Sequence, residues 1–95
     1  MSGLFDAGKI VFTPGAAELL SQPGSKFTQL LAWHLIGIWG ELDDDDKAAN
    51  DLAVKDGSRI LSAYMVQGKK LWIITEAVGE DGTRLATTFL LPEEY

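Results

Sequence analysis

The chain has 95 residues, no cysteine and a formal net charge of −6. This length is typical of a single domain, residues 1–95, and the lack of cysteine excludes disulfides, thiolate catalysis and cysteine-based zinc sites. The acidic balance disfavours direct binding to nucleic acid or to anionic membranes, because both carry negative charge.

The first predicted elements are a strand and a short helix. Gly8–Phe12 is short and rich in residues that favour strands. Thr13 then offers a cap and Pro14 suits the first helical position. Pro23 and the glycine after it are expected to end this helix.

A second helix is predicted over Lys26–Ile36, with Ser25 as its cap. Its residues at three- and four-residue spacing form a stripe of Phe27, Leu30, Leu31, His34 and Leu35. Trp33 and Ile36 extend the apolar surface almost all round the end of the helix, which predicts burial on two sides or contact with a partner.

The longest apolar stretch is Leu30–Trp39. It is too short to span a bilayer, which needs about 20 residues. The N-terminal residues show no basic start followed by an apolar block, so no secretion signal is visible. We therefore expect a cytoplasmic protein without a membrane span.

The run of aspartates at Asp43–Asp46 predicts the start of a helix over Asp44–Asp56, because carboxylates accept hydrogen bonds from free backbone N–H groups and favour the positive end of the helix dipole. Gly57 suits the position just past its end. A metal site is disfavoured because no glycine follows the acids as in an EF-hand loop. A tag remnant is disfavoured by the position of the run within the domain. Imitation of DNA stays open.

The rest of the chain predicts three strands: Ser58–Val66, Lys70–Val78 and Arg84–Leu91. Short turns at Gly68 and at Asp81–Gly82 join them into an antiparallel meander. The predicted fold class is α+β, with an antiparallel sheet of three to four strands packed against two or three N-terminal helices.

Both faces of the middle strand are largely apolar. One face carries Trp72 and Ile74, and the other carries Leu71 and Ile73. We therefore expect the helices to cover one face and a partner or dimer mate to cover the other. The large residues predicted at this interface are Trp33, Ile38, Trp39 and Trp72.

The candidate chemistry centres on His34, the single histidine. It is either a general base or a buried structural residue, and its apolar helix face favours the latter. Glu76 lies within an apolar strand and needs a partner if it is buried. Either it forms a cross-strand pair, or it joins His34, Arg59 and Tyr64 in a small polar pocket. No metal ligands and no cofactor are predicted.

The chain resembles a family of small bacterial proteins carried on plasmids and integron gene cassettes. The matching blocks are Thr13–Ala16 (TPGA), the His34–Gly40 block against H..GDWG, Arg59–Tyr64 (RILSAY), Trp72–Glu76 (WIITE) and Thr87–Tyr95 against TT.LLPEEY. The resemblance implies a compact α+β domain and no known reaction. Such chains are often named as type I restriction subunit M, but this one has no methyl-donor loop.

Two positions depart from the family pattern. Trp33 stands where the family has arginine before the histidine, and Ile38 stands where it has aspartate. These exchanges predict a more apolar local surface that meets another chain.

Three functional hypotheses follow. The first is a non-enzymatic, protein-binding accessory protein of a mobile element, acting as a homodimer and binding a partner from the host or the element. The second is a small enzyme or ligand-binding protein built around His34, Arg59 and Glu76. The third is an acidic DNA mimic that inhibits restriction or CRISPR enzymes.

Overall fold

A computed structural model describes residues 3–95. Its helices and strands are, in chain order, β1 Lys9–Phe12, α1 Pro14–Leu20, α2 Phe27–Leu35, α3 Asp44–Asp56, β2 Ile60–Val66, β3 Lys69–Thr75 and β4 Ala86–Leu90, followed by a 3-10 helix at Pro92–Glu94. The sheet order is β1-β4-β3-β2. The predicted α+β fold with N-terminal helices against the sheet is confirmed. None of the helices in the described part is long and apolar enough to cross a membrane.

The C-terminal strands pair as an antiparallel meander, with Ser62 opposite Ile73 and Ile73 opposite Phe89. One pair lies outside the predicted pattern, because β1 pairs with β4 in parallel, with Lys9 opposite Ala86. The three helices lie between β1 and the meander along the chain, so β1 can join the sheet at its far side and in the same direction as β4.

Local capping chemistry explains the helix bounds. Thr13 Oγ1 accepts a hydrogen bond from Ala16 N, and Asp43 Oδ1 accepts one from Asp46 N at 2.8 Å, as predicted for α1 and α3. The prediction that Ser25 caps the second helix is wrong. Lys26 occupies the cap position without a side-chain bond, and Ser25 Oγ donates instead to Leu19 O near the end of α1.

The helices and one face of the sheet enclose the core. Its main cluster consists of buried residues from α1, α2 and the strands: Ala16, Leu19, Leu30, Tyr64, Val66, Leu71, Ile73, Phe89 and Leu91. A second cluster joins Trp39 and Ala53 to Ile60 near the start of β2. The chain itself therefore buries most helix-facing residues of β2, β3 and β4.

The opposite side of the sheet, called the outer face, carries Ala63, Trp72, Ile74 and Leu90, because side chains alternate along strands. Ala63, Ile74 and Leu90 are buried. The Tyr95 ring lies 5.8 Å from the Trp72 ring, measured between centroids. The C-terminal residue thus supplies part of the cover that the sequence had led us to assign to a partner.

Candidate functional site

A buried chain of hydrogen bonds runs from β2 through His34 to β4. His34 Nδ1 lies 2.5 Å from Ser62 Oγ, and His34 Nε2 lies 2.8 Å from Thr75 Oγ1. Thr75 Oγ1 is 2.7 Å from Thr87 Oγ1, which donates to Ala7 O at 2.7 Å. The four side chains are fully buried, so this series of hydrogen bonds, called the His34 relay, contains no solvent-exposed side chain.

The backbone carbonyl at the end of the His34 relay sets the direction of every bond. Ala7 O only accepts, so Thr87 must donate to it and accept from Thr75. The Thr75 hydroxyl proton is therefore donated to Thr87 Oγ1, and Thr75 Oγ1 accepts from His34 Nε2–H. His34 Nδ1 is left as the acceptor for the Ser62 hydroxyl. The relay therefore holds the neutral Nε2–H tautomer.

Electrostatics keeps His34 neutral. Burial, reinforced by the positive charge of Arg84, lowers the pKa of His34 from 6.5 to about 3. A serine beside a histidine is the geometry of an activated nucleophile, but here Ser62 is buried and the third group is a threonine rather than a carboxylate. The relay thus satisfies buried polar groups and offers no reactive atom to a substrate.

Sequence reasoning missed the partners of His34. Ser62, Thr75 and Thr87 are polar residues on the helix-facing side of three adjacent strands. The signal available was their polarity at positions where neighbours two residues away are apolar. It becomes informative only once the strand register is known.

The predicted polar pocket of His34, Arg59, Tyr64 and Glu76 is not assembled. Tyr64 Oη donates to Ile38 O at 2.6 Å, and burial raises the pKa of Tyr64 to about 12. Arg59 is exposed and donates to Tyr95 Oη at 2.6 Å. Glu76 is exposed, because Thr75 faces the helices and adjacent strand residues point to opposite sides.

The aspartate run forms the start of α3, as predicted. Asp43 caps the helix, and Asp44, Asp45 and Asp46 occupy its first turn in contact with solvent. Within residues 3–95, no group of three or more His, Cys, Asp or Glu side chains is arranged to hold a metal ion.

Several other carboxylates are engaged with their own chain. Asp51 accepts from Trp39 Nε1, Asp56 from Ser58 N, Asp81 from Thr83, and Glu94 from Gly15 N. These acids belong to separate elements, because Asp51 and Asp56 lie in α3, Asp81 lies in the turn before β4 and Glu94 lies in the C-terminal 3-10 helix. A DNA mimic needs carboxylates arrayed like phosphates, so this scatter gives that hypothesis no support.

A cleft of about 400 Å³ lies at the end of α3. Arg84 lines this cleft and is buried. Its guanidinium donates to the carbonyls of Ala53, Ser58 and Glu76 at 2.7 to 3.0 Å. The guanidinium carbon also lies 5.5 Å from the centre of the Phe5 ring. Arg84 therefore ties α3 to the start of β2 and the end of β3, which is a structural role.

The four predicted interface residues differ in exposure. Trp39 is only 4% exposed and belongs to the core of its own chain. Trp33 is half-buried beside Tyr64, and Trp72 is half-buried beside Tyr95. Ile38 is 48% exposed and is the one of the four that presents a large apolar surface.

The outer edge of β2 is covered by the chain itself. Ala63 N donates to Trp39 O at 3.1 Å, and Glu41 N donates to Ala63 O at 2.6 Å. The Asn50 side chain accepts from Leu61 N at 3.1 Å and donates to Leu61 O at 2.6 Å. These bonds leave little of this edge open to another strand.

The outer edge of β1 is open by contrast. Lys9 N donates to Leu85 O and Thr13 N to Phe89 O, both at 3.0 Å, so residues 9, 11 and 13 face β4. Ile10 and Phe12 therefore direct their N–H and C=O groups outward. No partner for these groups exists among residues 3–95.

Apolar side chains flank this open edge. Val11, Phe12 and Phe27 are 36%, 37% and 39% exposed, and the rings of Phe12 and Phe27 meet edge to face at 5.3 Å between centroids. A groove of about 230 Å³ lies beside them, lined by Phe12, Ala17, Leu20, Ser21 and Phe27. We call Val11, Phe12 and Phe27 the edge patch. The arrangement is suited to binding another strand.

The chain matches no family model, no curated protein and no solved structure.

Proposed function

We propose that the chain is a non-enzymatic protein that acts by binding other protein chains, first of all a second copy of itself. The observation that carries the proposal is the open edge of β1 beside the edge patch. Unpaired strand edges attract other strands, and most proteins cover them. Here the β2 edge is covered and the β1 edge is not.

The His34 relay supports the non-enzymatic part of the proposal. The single histidine is neutral, buried and bonded on both nitrogens. A general base must reach the proton it removes, and no substrate reaches His34 while the core is intact. The neighbouring Ser62 hydroxyl already donates its hydrogen bond to Nδ1.

The resemblance to plasmid and integron-cassette proteins supports the biological setting. On that basis we propose an accessory role for a mobile element, in the cytoplasm, with a further protein partner from the host or the element. The exposed Ile38, at a position where the family carries aspartate, is consistent with an apolar contact.

Sedimentation velocity of the native chain from low to high micromolar concentration tests self-association. We expect a concentration-dependent shift from 10.3 kDa to twice that mass. A matched variant, Leu52→Ser, removes an exposed apolar residue on α3, away from β1, and is expected to behave like the native chain. A single 10.3 kDa species at every concentration would contradict the proposed self-association.

A further inference from the structure

We infer that two copies pair edge to edge through β1, in antiparallel orientation about a two-fold axis at Val11. This inference rests on the proposed homodimer and names its interface. It joins two four-stranded sheets into one continuous sheet across the dimer.

The first step is that β1 is the open edge of the sheet. The β2 edge is bonded to Trp39, Glu41 and Asn50 at Leu61 and Ala63, whereas both outward-facing residues of β1, Ile10 and Phe12, keep unpaired backbone groups for a second copy. Because each copy has one such edge, pairing uses up both edges and the assembly closes at two copies.

The second step is that the local backbone selects one register. In an antiparallel pair, outward-facing residues lie opposite outward-facing residues. If Ile10 lay opposite the partner's Ile10, Phe12 would meet the partner's Gly8, whose φ of 66° is not that of a strand. If Phe12 lay opposite the partner's Phe12, Ile10 would meet the partner's Pro14, which has no N–H.

The remaining register sets Ile10 opposite the partner's Phe12. Each outward N–H and C=O of Ile10 and Phe12 then finds a partner, and the two-fold axis relates the two sets of bonds. Val11 lies opposite the partner's Val11 as a non-hydrogen-bonded pair, for which Cα atoms lie about 4.5 Å apart.

The third step is that the side chains tolerate this register. Val11 meets the partner's Val11 on the outer face, and Phe12 lies against the partner's Ile10 on the helix-facing side. Lys9 faces the partner's Thr13, so no like charges are placed directly opposite each other. Apolar side chains of the edge patch thus meet apolar side chains of the partner on both faces of the sheet.

Single cysteines test this register directly, because the native chain has none. Val11→Cys is expected to form a disulfide-linked dimer under mild oxidation, since its Cα separation falls within the range of disulfides. Lys9→Cys on the same face and Leu52→Cys on α3 serve as matched controls, and both are expected to stay mostly monomeric. Equal cross-linking of all three variants would overturn the inference.

Charges at residue 11 give a second test. Val11→Lys and Val11→Glu should each weaken dimerisation by about tenfold or more, because like charges meet at the axis. Mixing the two variants should restore a heterodimer, detected by native mass spectrometry, which also shows that both variants fold.

The outcomes separate the inference from the proposal beneath it. A native chain that never dimerises defeats the homodimer itself. If the native chain dimerises and the Val11→Lys variant dimerises equally well, only the assignment of the interface to β1 is defeated. The same holds if the native chain dimerises but Val11→Cys does not cross-link.

Discussion

Mild acid should destabilise the fold through one residue, His34. The pKa of His34 is about 3 in the folded chain because the side chain is buried near Arg84, against 6.5 for an ordinary histidine. Between these values the unfolded chain binds a proton that the folded chain does not. Stability is therefore fully present above pH 6.5 and falls as the pH drops towards 3.

The magnitude follows from the same two values. Each pH unit in this window removes about 1.4 kcal/mol of the free energy of unfolding. Between about pH 7.5 and pH 5 the loss amounts to about 2 kcal/mol. The pKa values of Asp56, Asp81 and Glu94 are lowered by hydrogen bonds from ordinary values of 3.8 to 4.5, so those groups affect stability mainly below pH 5.

Urea unfolding followed by tryptophan fluorescence measures this loss at a series of pH values. The matched variant is His34→Gln, whose amide does not titrate, and its stability should be nearly constant from pH 7.5 to pH 5. A native chain equally stable at both pH values would refute the reasoning. So would a His34→Gln variant with the same pH dependence as the native chain.

Two further changes test the polar contacts that organise the fold. Thr75→Val leaves His34 Nε2–H without an acceptor and should cost about 1–3 kcal/mol of unfolding free energy. The control Thr88→Val, on the outer face of β4, should stay within about 0.5 kcal/mol of the native chain. Asp43→Ala removes the cap of α3 and should cost about 1 kcal/mol, measured by thermal unfolding. Asp45→Ala, which removes a solvent-exposed charge, should cost less; equal losses would show that the cap bond contributes nothing.

Helix bounds were the most predictable part of the fold, because their signals are local. The α3 bounds match the prediction residue for residue, since Asp43 caps the helix and Gly57 adopts the left-handed conformation at its end. The α2 cap failed for a tertiary reason. The Ser25 hydroxyl found an acceptor in Leu19 O, which only folding brings close.

Features that depend on strand order escaped prediction. The pairing of β1 with β4 joins residues far apart in the chain, and no local pattern encodes it. The His34 relay needs the register of β2, β3 and β4 before its members share a face. Tyr95 packs beside Trp72 on the outer face, which the strand pattern alone left uncovered.

Amide hydrogen exchange at β1, measured by NMR on the native chain at high and low concentration, tests the proposed dimer most directly. In the dimer, Ile10 and Phe12 amides donate across the interface, whereas Lys9 donates to Leu85 O within one chain. We predict that Ile10 and Phe12 are protected at high concentration and lose that protection on dilution, while Lys9 does not change. Rapid exchange of Ile10 and Phe12 at every concentration would contradict the account.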